Sequence, residues 1–420
     1  MTALRRVGFG AFVLGLGLSI TLSETALTLL TLLWLWRLRD PQVRAAARWP
    51  LWQPVLAFSA VSLISAVAAE YPSLPALSAC KGLLLVAALY VTADALAGPE
   101  DAYRFLSALL VVVTIAAGVG LLQALVCPGT APDYGRPGWL YHRCYRARGF
   151  FSIYMTLAGV LNLVLLANVP RLLPGGACTR WLALPWLVSL AGLLATYTRG
   201  AWMGFAAGVL GLLPGTRKGR WLLVGGLVLL GLAALSGPQH LRERFRSMGD
   251  ADDPTVRERV YMWHSGLAMW RQHPLLGVGP GGVKREYVRY ALPEAVKKRT
   301  GHVHNTPLQI LVERGVLGFA AWLWLWIAFY AHAIGRLRRL PVEAVRERTL
   351  AMGALAAITG FLVGGLSEYN FGDSEVVMVA WAIMALPWAI QVRESVPHLN
   401  PDSLLGGGQG SPAANPTGSV

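Results

Sequence analysis

The sequence predicts an all-α polytopic membrane protein with about twelve transmembrane helices and one large helical loop. Hydrophobic residues make up 55% of the chain and charged residues only 14%, whereas a soluble domain carries about 25% charged residues. Apolar stretches of about 20 residues, the length of a membrane-crossing helix, recur along the chain. Alternating strand patterns are absent, and only helices satisfy their own backbone polar groups in lipid at such lengths.

Twelve apolar segments are predicted to cross the membrane. They lie near residues 7–21, 24–37, 50–68, 75–96, 103–126, 149–168, 181–196, 200–214, 221–236, 308–333, 349–367 and 375–392. Ser23 and Glu24 are the only break between the first two segments. The predicted domains are therefore the first nine spans, a loop domain, three further spans and a tail. These domains cover 1–236, 237–303, 304–395 and 396–420, and the polar, Gly- and Pro-containing tail is predicted to be disordered.

The orientation follows from the lysine and arginine residues of the short loops, which favour the cytoplasmic side. One alternate set of short loops is basic, and the opposite set carries acids, among them Glu70 and Glu368. Both termini are therefore predicted to be cytoplasmic, and the loop at 237–303 to lie on the opposite face. The net charge of +15 is explained by these loops, so no nucleic acid is expected as a partner.

The four cysteines fit no metal-binding spacing. Cys127 and Cys144 fall in one predicted extracytoplasmic loop, whereas Cys80 lies in a span and Cys178 in a cytoplasmic loop. Disulfides persist in the bacterial periplasm and are rare in the cytosol. A Cys127–Cys144 disulfide and two unpaired cysteines near an interface both remain open.

The long loop has helical signals of its own. A first helix is predicted over 254–272, with Pro254 in its first turn, and an amphipathic helix near 283–298. The glycine-rich run 277–282 resembles a phosphate-binding loop, but it follows no strand and lacks the Lys-Ser/Thr ending. We therefore interpret it as a helix-breaking turn.

His302 and His304 flank Val303 immediately before an apolar segment. Such a pair could bind a metal ion only with further ligands, and none is obvious in the sequence. His304 could also be a polar residue at a helix start without chemistry. A neutral imidazole beside several arginines at a membrane surface is instead typical of a general base.

Arginines concentrate on the face where the short-loop pattern predicts few cations. They are Arg143, Arg146, Arg148, Arg199, Arg257 and Arg259. Each arginine alone is typical of an anchor at the headgroup level. Together they suit an anionic headgroup, because guanidinium groups bind phosphate oxygens bidentately. A diphosphate-linked lipid, with its tail in the bilayer, is the expected ligand.

At these residues the chain resembles the lipopolysaccharide O-antigen ligase family, within the group that also holds O-antigen polymerases and bacterial O-oligosaccharyltransferases. Three motifs carry the resemblance. They are His304-Asn305 followed by Gly315 and Gly318; Arg259 and Trp263 followed by His-Pro-Leu-Leu-Gly-Val-Gly-Pro-Gly at 273–281; and Thr-Tyr-Thr-Arg-Gly-Ala-Trp at 196–202.

The resemblance implies a GT-C-like glycosyltransferase of the bacterial inner membrane that needs no metal or other cofactor. Its implied substrates are undecaprenyl diphosphate-linked O-antigen and a sugar hydroxyl of lipid A–core, at the periplasmic face. His304, Arg199 and Arg259 match the family's essential residues. Arg146 and Arg148 match a looser pattern and, with His302, Asn305 and Trp263, are expected to bind substrate.

A direct displacement with His304 as the only base would invert the anomeric centre. An O-antigen polymerase and a protein O-oligosaccharyltransferase are the nearest alternatives, since they use the same kind of donor. A lipid-linked glycan transporter belongs to another class, and it should carry charges in mid-span. Lys81 is almost the only such charge.

Overall fold

The computed structural model describes residues 3–126, 146–173, 180–213, 217–236, 239–246, 250 and 253–390. Every regular element in these ranges is helical. The α-helices are α1 (Ala3–Leu18), α2 (Ile20–Arg37), α3 (Pro41–Ala46), α4 (Trp52–Ala68), α5 (Ser73–Ala95), α6 (Pro99–Val126), α7 (Tyr154–Leu172), α8 (Ala183–Ala195), α9 (Arg199–Leu210), α10 (Arg217–Ser236), α11 (Gln239–Arg246), α12 (Pro254–Gln272), α13 (Val283–Tyr290), α14 (Thr306–Arg339), α15 (Val345–Gly364), α16 (Ser374–Met384) and α17 (Leu386–Ala389). The Cys127–Cys144 pair, Cys178 and the tail at 396–420 lie outside the described residues.

Each of the twelve predicted apolar segments overlaps a helix, so their helical character is confirmed. Four helices in the described ranges are long and apolar enough to cross a membrane: Ser73–Ala95, Pro99–Leu125, Tyr154–Leu172 and Thr306–Arg339. Trp52–Ala68, Ala183–Ala195 and Ser374–Ala389 are shorter apolar helices. The composition and these helices together agree with a membrane protein, and the count of twelve crossings stays a prediction.

The break between the first two helices lies four residues earlier than predicted. Ser19, in extended conformation, separates α1 from α2, and its hydroxyl accepts a hydrogen bond from the backbone N–H of Leu22 at 3.4 Å. Ser23 lies inside α2, where its hydroxyl bonds to the carbonyl of Ile20 at 2.9 Å. The predicted break at Ser23 and Glu24 is therefore wrong, because Ser19 is the helix-capping residue.

Helices α9 and α15 approach each other closely through glycines. A Cβ atom on Gly204 would lie 2.4 Å from the carbonyl oxygen of Gly360, and one on Gly208 would lie 2.6 Å from that of Ala356. Small residues at four-residue spacing let helix backbones touch in this way. The contact fixes the first residue of α9, Arg199, beside the loop that follows α15.

The loop domain builds a small core of its own on one end of the bundle, which we call the loop end. Its buried side chains come from α12, α13, the glycine-rich turn, the segment that precedes α14 and the start of α14. They are Met262, Met269, Val278, Val283, Tyr287, Val303 and Val312. The first predicted loop helix is confirmed over Pro254–Gln272. The second ends at Tyr290 rather than near 298, because the residue before Pro293 is disfavoured in helical conformation.

Helix α14 is interrupted at Gly315, whose φ of 62° and ψ of −169° are not helical. The turn after α12 fills the interruption. The backbone N–H groups of Val278 and Gly279 donate to the carbonyls of Val312 and Glu313 at 3.0 and 2.9 Å, and that of Val316 donates to Pro274 at 2.9 Å. The glycine-rich turn thus satisfies backbone groups that the break in α14 leaves open, as buried broken helices require.

Candidate active site

His304 stands at the junction between the loop domain and α14. Its backbone is left-handed, with a φ of 51°, a conformation that costs a non-glycine residue on the order of 1 kcal/mol or more. Asn305 caps α14, since its side-chain oxygen accepts a hydrogen bond from the N–H of Leu308 at 2.9 Å. The Asn305 side-chain amide also donates to the carbonyl of Leu366 at 2.9 Å. Asn305 therefore anchors the histidine segment to the loop after α15.

Val303, the residue before His304, is fixed by two backbone hydrogen bonds. Its N–H donates to the side-chain oxygen of Gln309 at 2.8 Å, and its carbonyl accepts a hydrogen bond from the indole N–H of Trp263 at 3.1 Å. The Val303 side chain is fully buried in the core of the loop domain. Trp263 thus supports the position of His304 through the backbone.

A carboxylate outside the sequence motifs meets two of the predicted catalytic residues. Glu368 lies between α15 and α16, and its Oε2 is 3.0 Å from Nδ1 of His304. Its Oε1 accepts a hydrogen bond from the guanidinium of Arg259, and the two side chains form an ion pair. All three side chains are largely buried: His304 is 13% exposed, Glu368 is 14% exposed and Arg259 is 18% exposed. An ionised carboxylate can only accept hydrogen bonds, so in the neutral ring the proton lies on Nδ1 and Nε2 is the acceptor.

The partners of Glu368 keep this buried carboxylate charged. Burial by itself acts to raise its pKa, but the hydrogen bond to His304 and the positive charge of Arg259 outweigh burial and lower the pKa below its ordinary value. Glu368 therefore links the histidine and the arginine as an anion.

His302 packs against the pair. Its ring centroid is 4.2 Å from that of His304 and 5.9 Å from that of Tyr369. Burial, together with the repulsion of His304, lowers the pKa of His302 to about 4, so its ring is neutral at neutral pH. No group of three or more His, Cys, Asp or Glu side chains within the described ranges could hold a metal ion.

Arg199 begins α9 and binds a second carboxylate. Its Nη1 and Nη2 lie 3.1 and 3.3 Å from the two oxygens of Asp253, and both side chains are nearly buried. Asp253 also caps α12 by accepting from the N–H of Thr255 at 2.8 Å. Burial acts to raise the pKa of Asp253, but the hydrogen bonds from Arg199 and Thr255 lower it to about 2. Asp253 is thus a fixed anchor between α9 and α12.

Arg199 and Arg259 lie close to the same loop, the one that follows α15. A Cβ atom on Gly200 would lie 2.1 Å from Oγ of Ser367, so α9 starts against the residue that precedes Glu368. Arg259 reaches Glu368 itself from α12. The structure therefore gathers Arg199, Arg259 and His304 around the Ser367–Glu368 segment.

Arg146 and Arg148 also lie near the loop end of the bundle. Their guanidinium carbons are 4.3 and 5.8 Å from the ring centroid of Tyr154, within cation–π distance. The backbone N–H of Ala147 donates to the carbonyl of Ala195 at 2.9 Å. This bond places the two arginines beside the turn that leads into Arg199.

The sequence did not identify Glu368 or Asp253 as site residues. The available signals were weak: Glu368 is an acid in a short loop opposite the basic loops, and Asp253 precedes a proline at a helix start. Both contacts depend on tertiary structure, since 109 residues separate Arg259 from Glu368.

Comparison with known proteins covers the central part of this site. Residues 184–323, which include Arg199, Arg259 and His304, match the family model described as O-antigen ligase. A protein of Rickettsia conorii, provisionally named a polysaccharide ligase, is 23% identical over 191 residues, 44% of this chain and 41% of the relative. The exopolysaccharide production protein ExoQ of Rhizobium meliloti is 26% identical over 214 residues, 44% of this chain and 46% of the relative. The chain thus matches less than half the length of each of these curated relatives.

Proposed function

We propose that this chain, whose residues 184–323 match the family model described as O-antigen ligase, transfers O-antigen polysaccharide from undecaprenyl diphosphate to a sugar hydroxyl of lipid A–core. The reaction inverts the anomeric centre and uses no metal. The observation that carries the proposal is the buried cluster of His304, Glu368 and Arg259. It combines a base with an oriented free nitrogen and a cation for an anionic leaving group.

The histidine is the general base of this mechanism. Glu368 holds Nδ1 of His304 at 3.0 Å, so Nε2 can accept the proton of the acceptor hydroxyl as its oxygen attacks the anomeric carbon. The bond between that carbon and the diphosphate oxygen breaks in the same step. General-base catalysis contributes about 10²–10⁴ to the rate. Glu368 does not touch the substrate; it orients the base and stabilises the imidazolium that forms.

The arginines act on the leaving group. The lipid diphosphate gains negative charge as the sugar leaves, and a preorganised guanidinium stabilises that charge in a site with little water. Arg259 binds the same carboxylate as His304, and Gly200, the residue after Arg199, lies against Ser367. Arg146 and Arg148 extend the cationic surface along the same end. His302, Asn305 and Trp263 shape the site around His304.

The location of the reaction is part of the proposal. The loop end carries this cluster, and the short-loop charge pattern assigns that end to the periplasmic face of a bacterial inner membrane, with both termini cytoplasmic. The diphosphate of a membrane-anchored donor lies at the depth of these arginines. A GT-C-like arrangement of twelve spans is the architecture that we propose for the whole chain.

In vitro transfer tests the proposal and its alternatives. Purified protein is given undecaprenyl diphosphate-linked O-antigen with one of three acceptors: lipid A–core, a second lipid-linked chain, or an acceptor protein. We expect product only with lipid A–core. Product with the second chain would make the protein a polymerase, and product with protein would make it an O-oligosaccharyltransferase.

A second experiment, in sealed vesicles, distinguishes a transporter. Lys81, the mid-span charge, forms an ion pair with Glu24 at 3.0 Å, which lowers the cost of placing it in the membrane. Movement of the lipid-linked glycan across sealed vesicles, without transfer to any acceptor, would contradict the ligase and support a transporter.

A further inference from the structure

Glu313 is a buried carboxylate near the break in α14, and its side chain is only 1% exposed. Its Oε1 accepts hydrogen bonds from the backbone N–H of Gly281 at 2.8 Å and from the side-chain amide of Gln309 at 2.7 Å. Its Oε2 accepts hydrogen bonds from Nη1 of Arg314 at 2.8 Å and from the hydroxyl of Tyr369 at 3.3 Å. The carboxylate thus joins the glycine-rich turn, the first segment of α14 and the loop after α15.

The surroundings of Glu313 suit an ionised carboxylate. Burying a charge is costly unless a cation and hydrogen-bond donors surround it. Arg314 supplies the cation, and its Nε is fixed by a hydrogen bond to the hydroxyl of Ser62 in α4 at 2.9 Å. Burial raises the pKa of Tyr369, so its hydroxyl stays protonated and donates. The break in α14 does not by itself require this charge, because the Pro274–Gly279 segment bonds to its backbone groups.

A first connection runs from Glu313 to the residue before His304. The fully buried amide of Gln309 donates to Glu313, and its Oε1 accepts a hydrogen bond from the N–H of Val303 at 2.8 Å. A carboxylate only accepts and a backbone N–H only donates, so this amide has one possible orientation. His304 follows with its left-handed φ of 51°, a conformation that persists only where the surrounding structure holds it. Glu313 therefore supports the backbone of His304 through one side chain.

A second connection runs from Glu313 to Tyr369, the residue after Glu368. On the other side of Glu368, the carbonyl two residues earlier accepts a hydrogen bond from the amide of Asn305 at 2.9 Å. Asn305 is also the residue after His304. Each partner of the His304–Glu368 hydrogen bond is therefore held from both sides along the chain, by Asn305 on one side and through Glu313 on the other.

We propose that Glu313 is a positioning residue for the transfer reaction, because its charge fixes how Nδ1 of His304 meets the carboxylate of Glu368. The inference rests on the proposed function, in which that pair supplies the base. Glu313 acts through Gln309 and Tyr369 and not on the substrate. A displacement of about 1 Å in a reacting group costs on the order of 10²-fold in rate, so the loss of either connection should reduce kcat.

Tyr369→Phe is the mildest variant, because it removes one hydroxyl from the network and keeps the ring. We expect kcat to fall about tenfold, the equivalent of one hydrogen bond to a charged group, with little change in KM for either substrate. Tyr330→Phe is the matched control. Tyr330 is also partly buried, and its hydroxyl bonds to Thr359 at 2.7 Å between α14 and α15, away from His304. Equal kcat values for the two variants would overturn the proposal.

The other connection is tested by Gln309→Met, which removes the amide with little change in side-chain size. We again expect kcat to fall about tenfold. Glu313→Gln affects both connections and should lose on the order of 10²-fold. If Glu313→Gln does not fold, because Arg314 has lost its anion, Gln309→Met and Tyr369→Phe still decide the question.

A double-mutant cycle separates positioning from a general loss of stability. Effects that pass through one hydrogen bond are not additive, whereas independent effects add. In a Glu368→Gln background we therefore expect Tyr369→Phe to reduce kcat by less than about twofold further. A full additional tenfold loss would overturn the proposal, because Tyr369 would then act by another route.

The tautomer of His304 gives a measurement that does not depend on activity. The full-length protein is prepared with ¹⁵N-labelled histidine, and NMR spectra are recorded at about pH 8.5, where an ordinary imidazole is neutral. The signals that His304→Ala removes identify this ring. We expect the Nδ1–H tautomer in the wild type and in Tyr330→Phe, and a mixture of both tautomers in Tyr369→Phe and Gln309→Met.

Failure of the proposed function is distinguishable from failure of this inference. A protein that transfers polysaccharide to no acceptor, but whose His304 tautomer responds to Tyr369→Phe and Gln309→Met, contradicts the ligase and supports the positioning role of Glu313. A protein that transfers polysaccharide with unchanged kcat and unchanged tautomer in both variants overturns the positioning role alone.

Discussion

Replacing Glu368 with glutamine tests how the candidate base is positioned. The variant Glu368→Gln keeps the size of the side chain and removes the charge that His304 and Arg259 share. A hydrogen bond to a charged group is worth about 1.5–3 kcal/mol, and each 1.36 kcal/mol is a factor of ten in rate. We therefore expect kcat to fall about 10- to 150-fold if the full bond energy acts in the transition state. The KM for the donor should change little, because Glu368 does not contact it.

The matched control is Glu70→Gln, the same substitution at the same end of the bundle. Glu70 pairs with Arg289 at 3.0 Å, but both side chains are about half exposed, and such surface pairs contribute about 0–1 kcal/mol. The assay is single-turnover transfer from the lipid-linked donor at saturating acceptor, with thermal melting of each variant to verify folding. Equal kcat values for Glu368→Gln and Glu70→Gln would refute the role of Glu368.

Arg259→Lys should be severely impaired, because an ammonium cannot reproduce the planar guanidinium.

Four further predictions follow from the same geometry. His304→Ala should abolish transfer with folding intact, whereas His302→Ala should cost far less; equal losses, or inhibition of the wild type by a chelator, would contradict a single base. Arg199→Lys should be severely impaired, because its two nitrogens bind a carboxylate at 3.1 and 3.3 Å in a fork that lysine lacks; near-normal turnover would make it a membrane anchor. The pKa of His302 is lowered from 6.5 to about 4. The neutral ring therefore stabilises the fold fully above pH 6.5, and this stabilisation, on the order of 3 kcal/mol, is lost as the pH falls from 6.5 to 4. The melting temperature should fall less steeply over that pH range in a His302→Asn variant. Gly315→Ala should lower the free energy of unfolding by about 3 kcal/mol, since its Cβ would lie 2.1 Å from a carbonyl oxygen, and its melting temperature should fall accordingly. Gly335→Ala in the same helix, with nothing within 4 Å, should be neutral or slightly stabilising.

The helices could be predicted because their signals are local. A run of about 20 apolar residues indicates a helix whatever the rest of the chain does, and Pro254 marks the start of α12 at the residue where the structure begins it. Errors occurred where a single residue decides a boundary. Ser19 rather than Ser23 caps α2, and Pro293 prevents α13 from continuing to 298.

The candidate site was only partly predictable, for a physical reason. His304, Arg199 and Arg259 lie in motifs that local sequence retains, but the carboxylates that hold them do not. Glu368 is 64 residues from His304, and Asp253 is 54 residues from Arg199. Nothing in local periodicity relates such positions, since their contact depends on how α9, α12 and α15 pack.

The interruption of α14 has a consequence for biogenesis. After Gly315 the helix continues for 24 residues, from Val316 to Arg339, which is enough to be recognised by the insertion machinery as a complete span. The helical segment before it ends with Glu313 and Arg314, whose burial depends on partners from α4 and on the Pro274–Gly279 segment. We therefore expect Val316–Arg339 to insert alone and Thr306–Arg314 to dock afterwards, once the preceding loop has folded. The histidine would then reach its place only when the surrounding helices are already assembled.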